Sequence, residues 1–129
     1  MVASCLRNAS AVAAWLNAAE GPVVVIACGE RWPDGSLRPC IEDPLGAGAL
    51  ISRLRGSRSP EADSAGAAWK AASRGDVGAL LRSSGSGREL EARGHEADVG
   101  YAAEIDVSTV VPVLRGGRFI DAAASRPTG

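Results

Sequence analysis

The feature that most constrains this chain is the stretch from Pro22 to Leu54, in which an apolar β-branched run is followed by a polar loop and a helix start. Val23 to Ile26 reads as a strand buried on both faces. Gly29 and the Pro/Gly-rich segment Trp32 to Pro39 read as a surface loop. Asp43-Pro44 then predicts a helix start, with Asp43 capping free backbone N–H groups and Pro44 in the first helical position. That helix continues through Leu45, Leu50, Ile51 and Leu54. The small residues Gly46 to Ala49 keep its first turns thin. A buried strand, a polar loop and two adjacent acids at a helix start make the edge of an α/β site.

The remainder of the chain fits the same class. Met1 to Leu6 reads as a short strand and Asn8 as the cap of a helix over Ala9 to Ala19, with Val12, Trp15 and Leu16 at helical spacing. Strand, helix, strand predicts a βαβ unit with parallel pairing. Further helices are expected after a cap at Asp63 or Ser64, over Val77 to Leu81, over Glu89 to Arg93 with Gly94 as its stop, and over Glu96 to Ile105. Thr109 to Leu114 reads as a strand, with Pro112 marking an edge or an end. Arg115-Gly-Gly-Arg118 reads as a hairpin turn into Phe119-Ile120. The expected architecture is α/β, with helices layered around a mostly parallel or mixed sheet. It forms a single domain over 1–121, followed by a flexible tail over 122–129.

Composition narrows the function. The chain has 129 residues, 46% of them hydrophobic and 22% charged, which are globular values. The net charge is −1 and the basic residues are scattered, so no nucleic-acid surface is expected. The apolar runs are too short to cross a bilayer, and no export signal is seen. Cys5, Cys28 and Cys40 do not form a disulfide framework and read as reduced cytoplasmic thiols. His95 is the single histidine, which excludes a His-rich zinc site and a Ser-His-Asp triad. Cys28 does not open a cysteine-phosphatase loop, because Asp34 holds the position where such a loop needs arginine. It is expected to be a small buried residue at a strand end.

Two constellations carry chemistry. Glu42 and Asp43 supply the oxygen donors that a hard cation such as Mg²⁺ takes, one or two from the protein beside waters and substrate phosphate. The alternative is that Asp43 only caps its helix and Glu42 is solvated. Ser84, Ser86, Gly87 and Arg88 combine hydroxyls, a guanidinium and free N–H groups that can hold a phosphate or sulfonate. The alternative there is a capped turn with a surface arginine. Asn8, at the first strand-to-helix junction, could face the same crevice.

These segments also carry a resemblance. Asn8-Ala-Ser-Ala-Val-Ala, Val23-Val-Val-Ile-Ala-Cys-Gly-Glu, Ile41-Glu-Asp-Pro-Leu-Gly-Ala-Gly-Ala-Leu, Ser86-Gly-Arg-Glu-Leu-Glu-Ala-Arg-Gly and Glu104-Ile-Asp-Val-Ser-Thr-Val-Val-Pro-Val-Leu resemble, in order, the second half of the 2-phosphosulfolactate phosphatase family. The resemblance implies a cytoplasmic, Mg²⁺-dependent α/β enzyme. Its reaction converts (2R)-2-phospho-3-sulfolactate to 3-sulfolactate and phosphate on the way to coenzyme M. Within it, Glu42 and Asp43 stand as metal and catalytic candidates, and Asn8, Ser84, Ser86 and Arg88 as candidates for the anionic phosphomonoester. The family's first-half pattern, an apolar strand ending in Asp-Val-Leu-Arg-Ala-Ser/Thr, has no counterpart here. A partial site follows, completed by a missing N-terminal half or by a homo-oligomer. The rival class is a non-catalytic binding or assembly module on the same fold.

Overall fold

The computed structural model describes residues 1–122. Six helices and two short antiparallel hairpins give a mixed α/β fold. The tail expected over 122–129 lies, apart from Ala122, outside the described residues; Ala122 is buried and its N–H donates to Val111 O.

Val2 forms a single antiparallel bridge with Val113, and a 3-10 turn over Leu6–Asn8 leads into α1 (Ala9–Leu16). β1 (Glu30–Arg31) and β2 (Leu37–Arg38) make a hairpin, followed by α2 (Glu42–Ile51) and α3 (Pro60–Ala72). Three short helices come next: α4 (Val77–Ser83), α5 (Gly85–Ala92) and α6 (Glu96–Ala102). β3 (Pro112–Arg115) and β4 (Arg118–Asp121) close the described chain.

Helix α2 is the centre of the packing. Leu45 and Ala49 lie in one apolar cluster with Leu6, Trp69, Leu81 and Val99. Leu50, about 100° around the helix from Ala49, lies in a second with Val12, Ala13, Val111 and Val113. The small residues read as a thin helix surface serve this role at Gly48. A Cβ there would stand 2.2 Å from Ala65 O, so α2 and α3 approach backbone to backbone.

Caps follow the chemistry of the residues more than the expected positions. Ser59, not Asp63 or Ser64, starts α3, its hydroxyl accepting from Ala62 N–H with Pro60 in the first turn. Asp76 caps α4 and Ser84 caps α5 through Gly87 N–H. Gly94, at φ +78°, stands just past α5. Gly116 and Gly117 hold φ of +54° and +76° between Arg115 and Arg118, the two-residue turn that glycine favours.

The strand over Val23 to Ile26 does not form. Val24 and Ile26 are 83% and 78% exposed, and the segment pairs with no other among the described residues. The βαβ expectation falls with it, because both ladders are antiparallel hairpins. A β-branched run favours extended backbone, but a strand exists only where another strand supplies its hydrogen bonds. Cys28, at the end of this segment, is exposed for the same reason. At α2, Ile41 takes the cap position, and no side chain, Asp43 included, caps the helix.

Candidate functional site

The acidic constellation is gathered by the β1–β2 hairpin. Trp32-Pro-Asp-Gly turns the chain back, with Trp32 N–H donating to Ser36 O and Gly35 N–H to Trp32 O. The turn sets Glu30 opposite Arg38 in register. The chain then passes Cys40 and enters α2 at Glu42. One ligand atom each of Glu30, Cys40 and Glu42 lies within 4.8 Å of the others. Glu30 is exposed, Glu42 half-buried and Cys40 buried.

Asp43 is not one of the converging groups. Successive residues on a helix are turned by about 100°, so Glu42 and Asp43 do not share a face. The two carboxylates that do converge come from the hairpin and from α2. Hard cations take such oxygens and keep waters, so Glu30 and Glu42 are the groups here that would hold one. The Cys40 thiol adds nothing for that ion, since sulfur suits softer metals.

Arg38 joins this cluster to the hydroxyl-rich helix. Its Nη1 donates to Glu89 Oε2 at 3.0 Å and its Nη2 to Glu89 Oε1 at 2.8 Å, a bidentate pair. Nη1 also lies 3.2 Å from Glu30 Oε2, and the guanidinium sits 4.8 Å from the Trp32 ring centroid. Glu89 is on α5, the helix that Ser84 caps and that contains Ser86 and Arg88. Ser84 is occupied as a cap; its hydroxyl accepts from Gly87 N–H and donates to Leu81 O. Arg88 donates one N–H to Ser83 O. Ser86 is half-buried.

Asn8 stands elsewhere. It is buried, its Oδ1 accepts from Cys5 N–H, and its Nδ2 donates to Val110 O at 3.1 Å and to Ala3 O at 3.5 Å. The amide ties the N-terminal segment to the approach to β3. The cap expected of it at α1 comes from Asp106, whose Oδ1 accepts from Ser10 N–H at 2.7 Å. Asp106 has φ +54°, a conformation that Asp tolerates better than most residues. Arg53 completes the cluster, donating to Asp106, Ser10 and Ala49 O. An open groove of about 470 Å³ runs beside it, lined by Ser10, Asn17, Arg53 and Arg55 among others. Burial alone would raise the Asp106 carboxyl. Hydrogen bonds from Ser10 and Arg53, with the Arg53 charge, outweigh that and hold it below the ordinary 3.8.

Glu30, Arg38, Cys40, Glu89, Arg53 and Asp106 were not singled out from sequence. A hairpin reading of Trp32-Pro-Asp-Gly would have placed Glu30 opposite Arg38. No local signal marks Arg53 with Asp106.

Fold and site thus define a mixed α/β protein with a carboxylate pair suited to a hard cation, beside an arginine-linked helix. The family model for 2-phosphosulpholactate phosphatase matches residues 1–117. The chain belongs to that family. A probable 2-phosphosulfolactate phosphatase of Deinococcus radiodurans is 33% identical over 128 residues, covering 98% of this chain and 52% of its own length. One of Pseudothermotoga lettingae is 29% identical over 123 residues, covering 95% and 52%. The chain spans about half the length of the curated relatives it matches. No helix among the described residues is long and apolar enough to cross a membrane.

Proposed function

We propose that this chain supplies a phosphomonoester hydrolase site that acts, in the cytoplasm and with Mg²⁺, on 2-phospho-3-sulfolactate. The products are 3-sulfolactate and phosphate, in a route toward coenzyme M. The observation that carries the reading is the convergence of Glu30 and Glu42 in a chain of this family. The names of the two relatives support the substrate.

In this reading Glu30 and Glu42 hold the cation, with Asp43 in the same turn accepting from its waters. When bound, Mg²⁺ supplies charge neutralisation at the phosphoryl oxygens and a point of orientation for water. Arg38 fixes Glu30 by pairing with it and with Glu89. Ser86 and the remaining guanidinium N–H groups of Arg88 are the groups offered to the phosphate or sulfonate, while Ser84 shapes the turn that presents them. Asn8 holds the N-terminal segment to Val110 O.

Phosphate release from 2-phospho-3-sulfolactate, measured with Mg²⁺ and with EDTA, tests the reading. Mg²⁺-dependent turnover that is lost in Glu42→Gln is the expected result. No turnover from the folded chain, beside an active full-length relative, would instead favour a non-catalytic binding or assembly module.

A further inference from the structure

The segment from Pro22 to Gly29 has the composition of a strand and the accessibility of a loop. Its β-branched residues favour extended backbone. Val25 packs on the second apolar cluster, while its neighbours Val24 and Ile26 point outward, 83% and 78% exposed. No backbone hydrogen bond joins it to another segment among the described residues. A row of unpaired N–H and C=O groups beside an apolar face is a template for strand addition. It is also the kind of edge that folded chains ordinarily pair, cover or charge. Here none of these devices is present, and the segment contains no charged residue.

The lengths of the relatives indicate what covers it. Both match nearly all of this chain with only 52% of their own residues. The unmatched half is joined covalently to the matched one in those proteins. A tether of that kind gives a strand from the same chain an effective concentration in the millimolar range, well above that of a second copy in dilute solution. We propose that Val23 to Ala27 is the docking edge for a strand from the half of the family chain that the matched residues do not include. Its N–H and C=O groups would form the ladder, and Val24 and Ile26 would take the apolar contacts. The inference rests on the family and on this surface, and it holds whether or not the site hydrolyses a phosphate ester.

Two measurements test it. In the first, amide hydrogen exchange and light scattering are recorded on this chain. A monomer whose amides over Val23 to Ala27 exchange without protection is expected; a dimer with those amides protected would overturn the proposal in favour of a second copy. In the second, the full-length Deinococcus radiodurans relative carries a photo-cross-linking residue at the position aligned with Val24. Cross-links into its unmatched half are expected, with protection of the aligned amides on the order of 100-fold. Cross-links confined to the matched half, or to another molecule, would overturn it, as would unprotected amides there.

Discussion

Arg53 Nη2 and Asp106 Oδ2 meet at 2.6 Å although the residues are 53 positions apart. The contact joins the end of α2 to the chain reversal after α6, and Asp106 extends it to the start of α1 through Ser10 N–H. Three elements therefore share one ion pair. Arg53→Ala or Asp106→Ala should each destabilise the fold by about 1–3 kcal/mol, the cost of leaving a partly buried charged partner unmet. Chemical denaturation of both variants and of the double variant would check this. A double variant that costs no more than either single one is the expected sign of coupling.

The same carboxyl sets a pH dependence. The Asp106 carboxyl lies below its ordinary 3.8 in the folded chain, so its contribution is complete above that value. It is lost as pH falls through the lower folded value, because the unfolded chain then takes up the proton first. Asp106→Asn should flatten the acid limb of the stability curve below about pH 4, measured as denaturation midpoint against pH.

Two glycines of α2 should respond in opposite senses. A Cβ at Gly48 meets Ala65 O at 2.2 Å, whereas one at Gly46 meets nothing within 4 Å. Gly48→Ala should cost about 1–3 kcal/mol or more by forcing α3 away. Gly46→Ala should gain up to about 1 kcal/mol from helix propensity. Thermal unfolding of the two variants gives the comparison directly.

At the candidate site, Glu30→Gln and Glu42→Gln should each weaken Mg²⁺-dependent phosphate release by at least about tenfold. Asp43→Asn should have the smaller effect, since Asp43 is not among the converging groups. Equal losses at all three positions would add Asp43 to the groups that hold the metal.

Arg38→Ala separates positioning from stability. Its pair with Glu89 is bidentate and its side chain is mostly buried, while both carboxylates are exposed, so the pairing contributes only modestly to folding. The melting temperature should fall by only about a few degrees, while the apparent Mg²⁺ affinity changes because Glu30 loses its anchor. Titration of Mg²⁺ in the phosphatase assay, beside a melting curve, would show both.

The sequence by itself determined the α/β class, the helices that close their own hydrogen bonds, the Gly116-Gly117 turn and the segments that carry the family. These depend on residues a few positions apart, so caps, periodicity and turn chemistry are written locally. Tertiary structure alone decided that Asn8 ties the N-terminal segment to the approach to β3 while Asp106 caps α1. It also decided that Glu42 meets Glu30 and Cys40 instead of Asp43. The strand over Val23 to Ile26 marks the boundary between the two kinds of information. Its residues favour extended backbone, but a helix satisfies its N–H groups within itself, and a strand must find another segment to do so.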